Sequence, residues 1–137
     1  ETQLKRLISL DHEAKTRRRT EQYLLRNYLL KDIKSGTCAI CNKTYPVGFL
    51  TAAHIKKRME CSDDEKRDLN IVMPAGCDKI YEAGYIIVND GLIQKNYHNK
   101  EITNDLKHFI DQISGHKCDY YNEETKKYFI HHEKQNI

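Results

Sequence analysis

Residues 52–58 are Ala52-Ala53-His54-Ile55-Lys56-Lys57-Arg58, a short apolar segment that ends in a histidine and continues directly into three positive charges. The segment from Phe49 to Ile55 predicts a β-strand. A lone histidine is more often structural than catalytic, but here the three cations can hold a phosphate beside the imidazole. Because a neutral imidazole can take a proton from water near pH 7, the pattern favours His54 as a general base.

Three polar residues follow this histidine along the chain. Asn70 precedes a second short predicted strand, and we expect its side chain to lock the loop that aims His54. Asp78 and Glu82 are four residues apart on a predicted short helix and therefore share one face. Two carboxylates on one face repel each other unless a cation lies between them, and hard oxygen ligands of this kind suit Mg²⁺ or Mn²⁺.

Five cysteines, an odd number, favour a metal site over a disulfide framework. Cys38 and Cys41 are two residues apart and follow a predicted helix, a spacing that lets both sulfurs bind one zinc ion. A redox pair normally follows a strand instead, so structural zinc is favoured over redox chemistry. Cys77 is the best third ligand. For the fourth, Cys61 is a candidate and Cys118 is more remote. A buried structural thiol is the alternative for both and is favoured for Cys118.

Charge is distributed unevenly along the 137 residues. Residues 1–60 contain 13 Lys and Arg against 6 Asp and Glu, whereas residues 61–137 contain 10 against 14. A basic half fits a polyanionic partner, although a solvated helix face explains many such imbalances. Arg17, Arg18 and Arg19 lie within the predicted N-terminal helix. Because three adjacent residues cannot share one helical face, part of this run must face solvent. A phosphate-binding surface and a solvated surface are about equally favoured.

The chain divides into three predicted regions that together indicate an α+β fold. Residues 1–36 form an N-terminal helical extension, with one long helix or two between Leu4 and Ile33 that Gly36 ends. Residues 37–97 form a β-rich core, in which Asn89-Asp90-Gly91 predicts a hairpin. Residues 98–137 contain two helices, about 103–114 and 123–132, that are expected to cover the core.

Composition argues against a membrane protein and against a secreted one. Hydrophobic residues make up 39% of the chain, and no apolar run approaches the roughly 20 residues of a bilayer span. Since no signal peptide opens the chain, we expect a cytoplasmic protein with no membrane partner. The first residue is Glu1 rather than Met, which is consistent with a fragment of a longer protein.

The order of these features resembles that of the HNH endonucleases, which share the ββα-metal fold. The resemblance covers about residues 38–88, and within it the segments 52–56 and 76–86 are similar to the restriction-type subset of the family. It implies that His54 is the general base, that Asn70 fixes the loop, and that Asp78 and Glu82 hold a catalytic divalent metal.

The resemblance also implies an activity, two metals and a partner. The activity is metal-dependent hydrolysis of DNA phosphodiester bonds, with Mg²⁺ or Mn²⁺ in catalysis and Zn²⁺ in the cysteine site. Lys56, Lys57 and Arg58 are expected to hold the nucleic-acid backbone, and the basic N-terminal half adds non-specific affinity. RNA stays an alternative substrate, because phosphate contacts are blind to base and sugar. Such nucleases often belong to restriction or phage-defence proteins with a separate recognition domain, and a homodimer is plausible since one site cuts one strand.

The sequence differs from the family pattern in three places. Asp78 replaces the final histidine of the family name, and Ala53 stands where many members place a metal-binding Asp or His. These two differences favour the alternative of a catalytically degenerate, zinc-stabilised nucleic-acid-binding module. The third is the absence of a second cysteine shortly before Cys77. Either Cys61 completes the zinc site, or the site is incomplete, or a short loop is absent from the chain.

Overall fold

The computed structural model describes residue 3, residues 12–31 and residues 33–137, and within them the predicted α+β fold is confirmed. The α-helices are α1 (His12–Leu30), α2 (Asp63–Lys66), α3 (Asp78–Glu82), α4 (Asn104–Ile113) and α5 (Lys126–Gln135). The strands are β1 (Ser35–Thr37), β2 (Thr44–Pro46), β3 (Thr51–His54), β4 (Val72–Ala75), β5 (Ile86–Asn89) and β6 (Leu92–Lys95). They pair as three antiparallel hairpins, β1–β2, β3–β4 and β5–β6. Among the helices of the described residues, none is long and apolar enough to cross a membrane.

The hairpin β3–β4 lies in the core and carries His54 at its end. Its register places His54 opposite Val72, and the main-chain amide of Ile55 continues the pairing by donating to Ile71 O at 2.8 Å. Strand β3 is shorter than predicted, because Val47–Phe49 form a 3₁₀ turn that leaves the Phe49 side chain exposed. The strand therefore delivers the histidine to the edge of the core, as the sequence indicated.

Helix α1 ends earlier than predicted, and Gly36 has a different role. The helix stops at Leu30, whereas Gly36 lies in β1, opposite Tyr45. A Cβ atom on Gly36 would lie 2.8 Å from Leu30 Cδ2 and 2.9 Å from Leu50 Cδ1, so glycine lets β1 pack closely on these two side chains, which would have to shift to admit a larger residue. The predicted helical residues 4–11 lie outside the described residues.

The hairpin predicted at Asn89-Asp90-Gly91 is confirmed. Asp90 and Gly91 have φ angles of 50° and 84°, the pair of positive values that a type I′ turn requires. The turn joins β5 to β6, and α5 packs against β5. This hairpin follows α3 directly and so gives that short helix a fixed support.

The C-terminal helices cover the core, as predicted, and they also hold α3. Ile110, Ile113, Tyr128 and Phe129 are fully buried members of the core. The ring of His132 in α5 stacks on Tyr81 of α3, with centroids 3.7 Å apart. Helix α5 therefore fixes the orientation of the helix that carries the two predicted metal-binding carboxylates.

Candidate functional site

Three of the five cysteines form a cluster. The sulfur atoms of Cys38, Cys41 and Cys77 all lie within 4.8 Å of one another. The first two come from the turn between β1 and β2, where the positive φ of Asn42 reverses the chain directly after Cys41. The main-chain amide of Ala39 donates to Pro74 O at 2.8 Å, which ties this turn to β4 and brings it beside Cys77.

The electrostatic environment of the cluster favours a bound cation. The neighbouring Cys77 thiol and then the main-chain amides around the cluster lower the pKa of Cys38 to about 4, against the opposing effect of burial. Two of these amides, from Ile40 and Gly76, donate to Cys38 Sγ at 3.4 and 3.3 Å. The pKa of Cys77 is raised, because its thiol interacts with Cys38 and is partly buried. Thiolates supported by amide donors are a donor set that fits zinc.

Cys61 does not join this cluster, contrary to the first of the three alternatives. Its half-buried thiol instead donates to the main-chain oxygens of Lys56 and Lys57, at 3.7 and 3.3 Å. The reason is local, since Cys61 ends the 3₁₀ turn Arg58–Glu60 and its side chain folds back on that turn. Cys118 also lies outside the cluster, and burial raises its pKa to about 11. Cys118 is a free, buried cysteine, as the structural-thiol alternative predicted.

Tyr45 borders the cluster, although no sequence pattern pointed to it. Its hydroxyl lies 3.5 Å from Cys41 Sγ. That interaction, followed by burial, raises the pKa of Tyr45 to about 12. Tyrosine is a common residue in β-strands. A tyrosine between Thr44 and Pro46 therefore forms no sequence pattern that would mark it as part of a site.

His54 has the protonation state that a general base needs. Its side chain is 17% exposed. Burial lowers the pKa of His54, and the positive charge of Arg58 lowers it further, while Glu21 opposes both. The lowered pKa favours the neutral imidazole, the form that can accept a proton.

Glu21 is a second site residue that the sequence did not reveal. Its Oε1 lies 2.9 Å from Arg58 Nε and 4.0 Å from His54 Nε2. The next residue, Gln22, accepts from the Ala52 amide at 3.1 Å and donates to Ala52 O at 2.9 Å. These two bonds lay α1 along β3, so a helix assigned to an extension contributes directly to the surroundings of His54. Because Glu21 and His54 are 33 residues apart, no local sequence pattern could have predicted their contact.

The loop before β4 is held mainly by Asp68. Its carboxylate accepts from the Asn70 main-chain amide at 3.0 Å and from the Tyr128 hydroxyl of α5. Asn70 is exposed and takes part in this turn two residues before the partner of His54. The Asn70 group in this hydrogen bond is the main-chain amide, so the predicted role of its side chain as the anchor of the loop stays a prediction. An Asp two residues before a loop amide is itself a recognisable turn pattern.

Asp78 and Glu82 lie on α3 with the mutual repulsion that their spacing predicts. The pKa of half-buried Asp78 is raised, first by burial and then by the negative charge of Glu82. Within the described residues, the cysteine cluster is the one group of three or more His, Cys, Asp or Glu donors within 4.8 Å. The two carboxylates therefore have no third such ligand at that distance, and His54 is not gathered with them.

The predicted phosphate-binding cations differ in their availability. Lys56 Nζ lies 2.9 Å from Glu65 Oε1 with its side chain only 14% exposed, and Arg58 is paired with Glu21. Lys57 is exposed and makes no ion pair within the described part of the chain. Arg17, Arg18 and Arg19 are all exposed on α1.

An open groove lies beside these arginines, between α1 and the start of β3. It has a volume of about 330 Å³ and is lined by Arg18, Arg19, Gln22, Tyr23, Arg26 and Thr51. Three guanidinium groups and an exposed aromatic ring suit a nucleic-acid backbone with its bases.

Comparison of the chain with protein-family models and with curated proteins finds no match. The functional interpretation therefore depends on the geometry of these residues and on the sequence pattern.

Proposed function

We propose that this protein is a metal-dependent endonuclease of the HNH type that hydrolyses DNA phosphodiester bonds. The observation that carries the proposal is the position of His54. The end of β3 presents a mostly buried, neutral imidazole at the edge of the core, directly before a basic segment. A base next to cations that can hold a phosphate is an arrangement that supports hydrolysis of a phosphodiester.

In the proposed reaction, neutral His54 takes a proton from a water molecule, which attacks phosphorus in line with the leaving oxygen. Glu21 then faces the imidazolium, and its negative charge offsets the new positive charge. Lys57 and the arginines of α1 hold the phosphate backbone on either side. A Mg²⁺ or Mn²⁺ ion on Asp78 and Glu82 would supply Lewis-acid stabilisation of the leaving oxygen.

The cysteine cluster has a structural part in this proposal. A Zn²⁺ ion on Cys38, Cys41 and Cys77 would join the β1–β2 turn to the residue that immediately precedes α3. Because Asp78 directly follows Cys77, the ion would also fix the start of the helix that carries both carboxylates. Small folds with little core commonly use a metal in this way.

A plasmid-nicking assay tests the proposal, with wild type and His54→Ala compared in EDTA, Mg²⁺ and Mn²⁺. We expect nicking that requires a divalent metal and a loss of about two to four decades of rate in the variant. His108→Ala, at an exposed position of α4, is the matched control and should retain full rate. Full activity of His54→Ala would exclude His54 as the base.

A specific observation favours a second candidate, a catalytically degenerate, zinc-stabilised nucleic-acid-binding module. The carboxylates of Asp78 and Glu82 lack a third protein ligand within 4.8 Å among the described residues. Such a module would bind DNA equally well with and without Mg²⁺ and would cut it under no condition. The same nicking assay on RNA tests whether the protein cuts RNA, the alternative substrate.

The biological setting proposed here follows from the resemblance. It is a cytoplasmic restriction or phage-defence system, in which a separate domain reads the sequence or a base modification. The 137 residues should then cut with little sequence preference. Pairing of two copies would allow both strands to be cut, and sedimentation of the protein with and without DNA would detect it.

A further inference from the structure

The cysteine cluster provides three ligands, whereas structural zinc sites are almost always four-coordinate. Within the described residues, no other His, Cys, Asp or Glu donor lies within 4.8 Å of all three sulfurs. The two remaining cysteines are turned elsewhere, Cys61 toward its own turn and Cys118 into the core. Among the described residues, the fourth donor is therefore a residue type outside the usual set, or else water takes its place.

The Tyr45 hydroxyl contacts one of the three sulfurs at a distance compatible with a fourth ligand. With Zn–S bonds of about 2.3 Å and a Zn–O bond of about 2.0 Å, a tetrahedral site places the oxygen about 3.5 Å from each sulfur. The Tyr45 hydroxyl is 3.5 Å from Cys41 Sγ.

The position of Tyr45 is fixed from two sides. Its backbone in β2 pairs with Gly36 in β1, the strand that leads into Cys38. Its ring lies on the backbone of Gly76, since a Cβ atom there would be 3.4 Å from Tyr45 Cε2. Gly76 is the residue before Cys77. The ring therefore spans the two chain segments that supply the sulfurs, and its hydroxyl is held at the cluster.

We propose that the phenolic oxygen of Tyr45 is the fourth ligand of a zinc ion bound by Cys38, Cys41 and Cys77. On binding, the O–H bond of Tyr45 breaks, a Zn–O bond forms and the proton passes to solvent. No electron is transferred. A tyrosine ligand closes the site against water, which fits a structural ion. The inference depends on the proposed zinc site and is independent of the proposed nuclease activity.

The test follows tyrosinate formation as the full chain takes up zinc. Protein stripped of metal is titrated with Zn²⁺ at neutral pH, and the ultraviolet difference spectrum is recorded. We expect one tyrosinate for each zinc bound by wild type and none for Tyr45→Phe. Tyr85→Phe is the matched control, because the Tyr85 hydroxyl donates to Glu101 O at 2.9 Å, away from the cluster.

Competition with a chelator gives a second readout. Tyr45→Phe should bind zinc at least about tenfold more weakly, since water then takes the fourth position, while Tyr85→Phe should match wild type. One bound zinc with no tyrosinate in wild type would overturn the inference and leave Tyr45 as a hydrogen-bond partner of Cys41. A tyrosinate signal that persists in Tyr45→Phe would also overturn it. Absence of zinc binding by wild type would overturn the site itself, whereas nuclease failure would show only in the nicking assay.

Discussion

The carboxylate of Glu21 faces the imidazole of His54, with 4.0 Å between Oε1 and Nε2. The same oxygen accepts from Arg58 Nε at 2.9 Å, so one acidic side chain of α1 contacts both the histidine of β3 and the basic segment after it. Burial and Arg58 lower the pKa of His54, and Glu21 acts in the opposite direction. The protonation of the proposed base is therefore set partly by a helix far from it in sequence.

Replacement of Glu21 by Gln should lower the pKa of His54 further. The variant keeps a side chain of similar size and removes only the negative charge that favours the imidazolium. A nuclear magnetic resonance titration of the His54 ring measures the shift and needs no enzymatic activity. Glu124→Gln, at an exposed position, is the control and should leave the titration unchanged. An unchanged His54 pKa in Glu21→Gln would show that the two side chains do not interact in solution.

Local patterns predicted much of this structure. The hairpin at Asn89-Asp90-Gly91, the strand that ends at His54 and the helix with Asp78 and Glu82 each depend on residues close together in sequence. Turn chemistry and side-chain periodicity decide such elements before any tertiary contact forms. The close spacing of Cys38 and Cys41 belongs to the same group, because both sulfurs leave one turn.

The parts that sequence could not predict depend on contacts between distant segments. Glu21 approaches His54 because Gln22 binds Ala52, and Tyr45 borders the sulfurs because its ring packs on Gly76. Neither contact has a periodicity to reveal it. The prediction that Gly36 ends the helix was wrong for the same reason, since the close contact of Gly36 with Leu30 and Leu50 is set by packing rather than by helix capping.

Loss of a cysteine should affect zinc binding according to its position. Cys77→Ser should abolish stoichiometric zinc binding, whereas Cys61→Ser should retain one zinc for each chain, because the Cys61 thiol donates to the main-chain oxygens of Lys56 and Lys57 and lies outside the cluster. Metal content by atomic absorption measures both. Chelation of wild type should lower its unfolding free energy by about 4 kcal/mol when free zinc had exceeded the dissociation constant about 1,000-fold. Zinc loss in Cys61→Ser would instead make Cys61 a ligand.

The stability of the fold should fall on acidification through His132. Burial lowers the pKa of His132 to about 4, helped by Lys57 and His131 and opposed by the Tyr81 carbonyl and Glu60. Its Nδ1 is buried with no hydrogen-bond partner in the described structure. As the pH falls from about 6.5 to about 4, the unfolded chain binds a proton that the folded chain does not. Stability on the order of 3 kcal/mol, fully present above pH 6.5, is therefore lost across this window.

The variant His132→Phe isolates this effect. Phenylalanine keeps the stack on Tyr81 but cannot titrate, so its unfolding free energy should depend less on pH than that of wild type between pH 6.5 and 4. Urea denaturation at several pH values measures how the unfolding free energy depends on pH. Zinc release at low pH affects both proteins and therefore does not change the comparison. His108→Phe, exposed on α4, should retain the wild-type slope. Equal slopes for wild type and His132→Phe would mean that another group causes the acid sensitivity.

Two adjacent lysines should affect DNA binding differently. Lys57 is exposed, whereas Lys56 Nζ donates to both carboxylate oxygens of Glu65 at 2.9 and 3.1 Å. A lysine that contacts one phosphate contributes about 0.9 to the slope of log affinity against log salt. Lys57→Gln should therefore weaken binding at low salt and reduce that slope by about 0.9. Lys56→Gln should leave the slope unchanged and lower the melting temperature, because Glu65 loses its ion-pair partner and keeps, among the described residues, only its capping bonds to Ser62. Fluorescence anisotropy of a labelled duplex over a salt series measures both variants, and a reduced slope in Lys56→Gln alone would assign the phosphate contact to Lys56 instead.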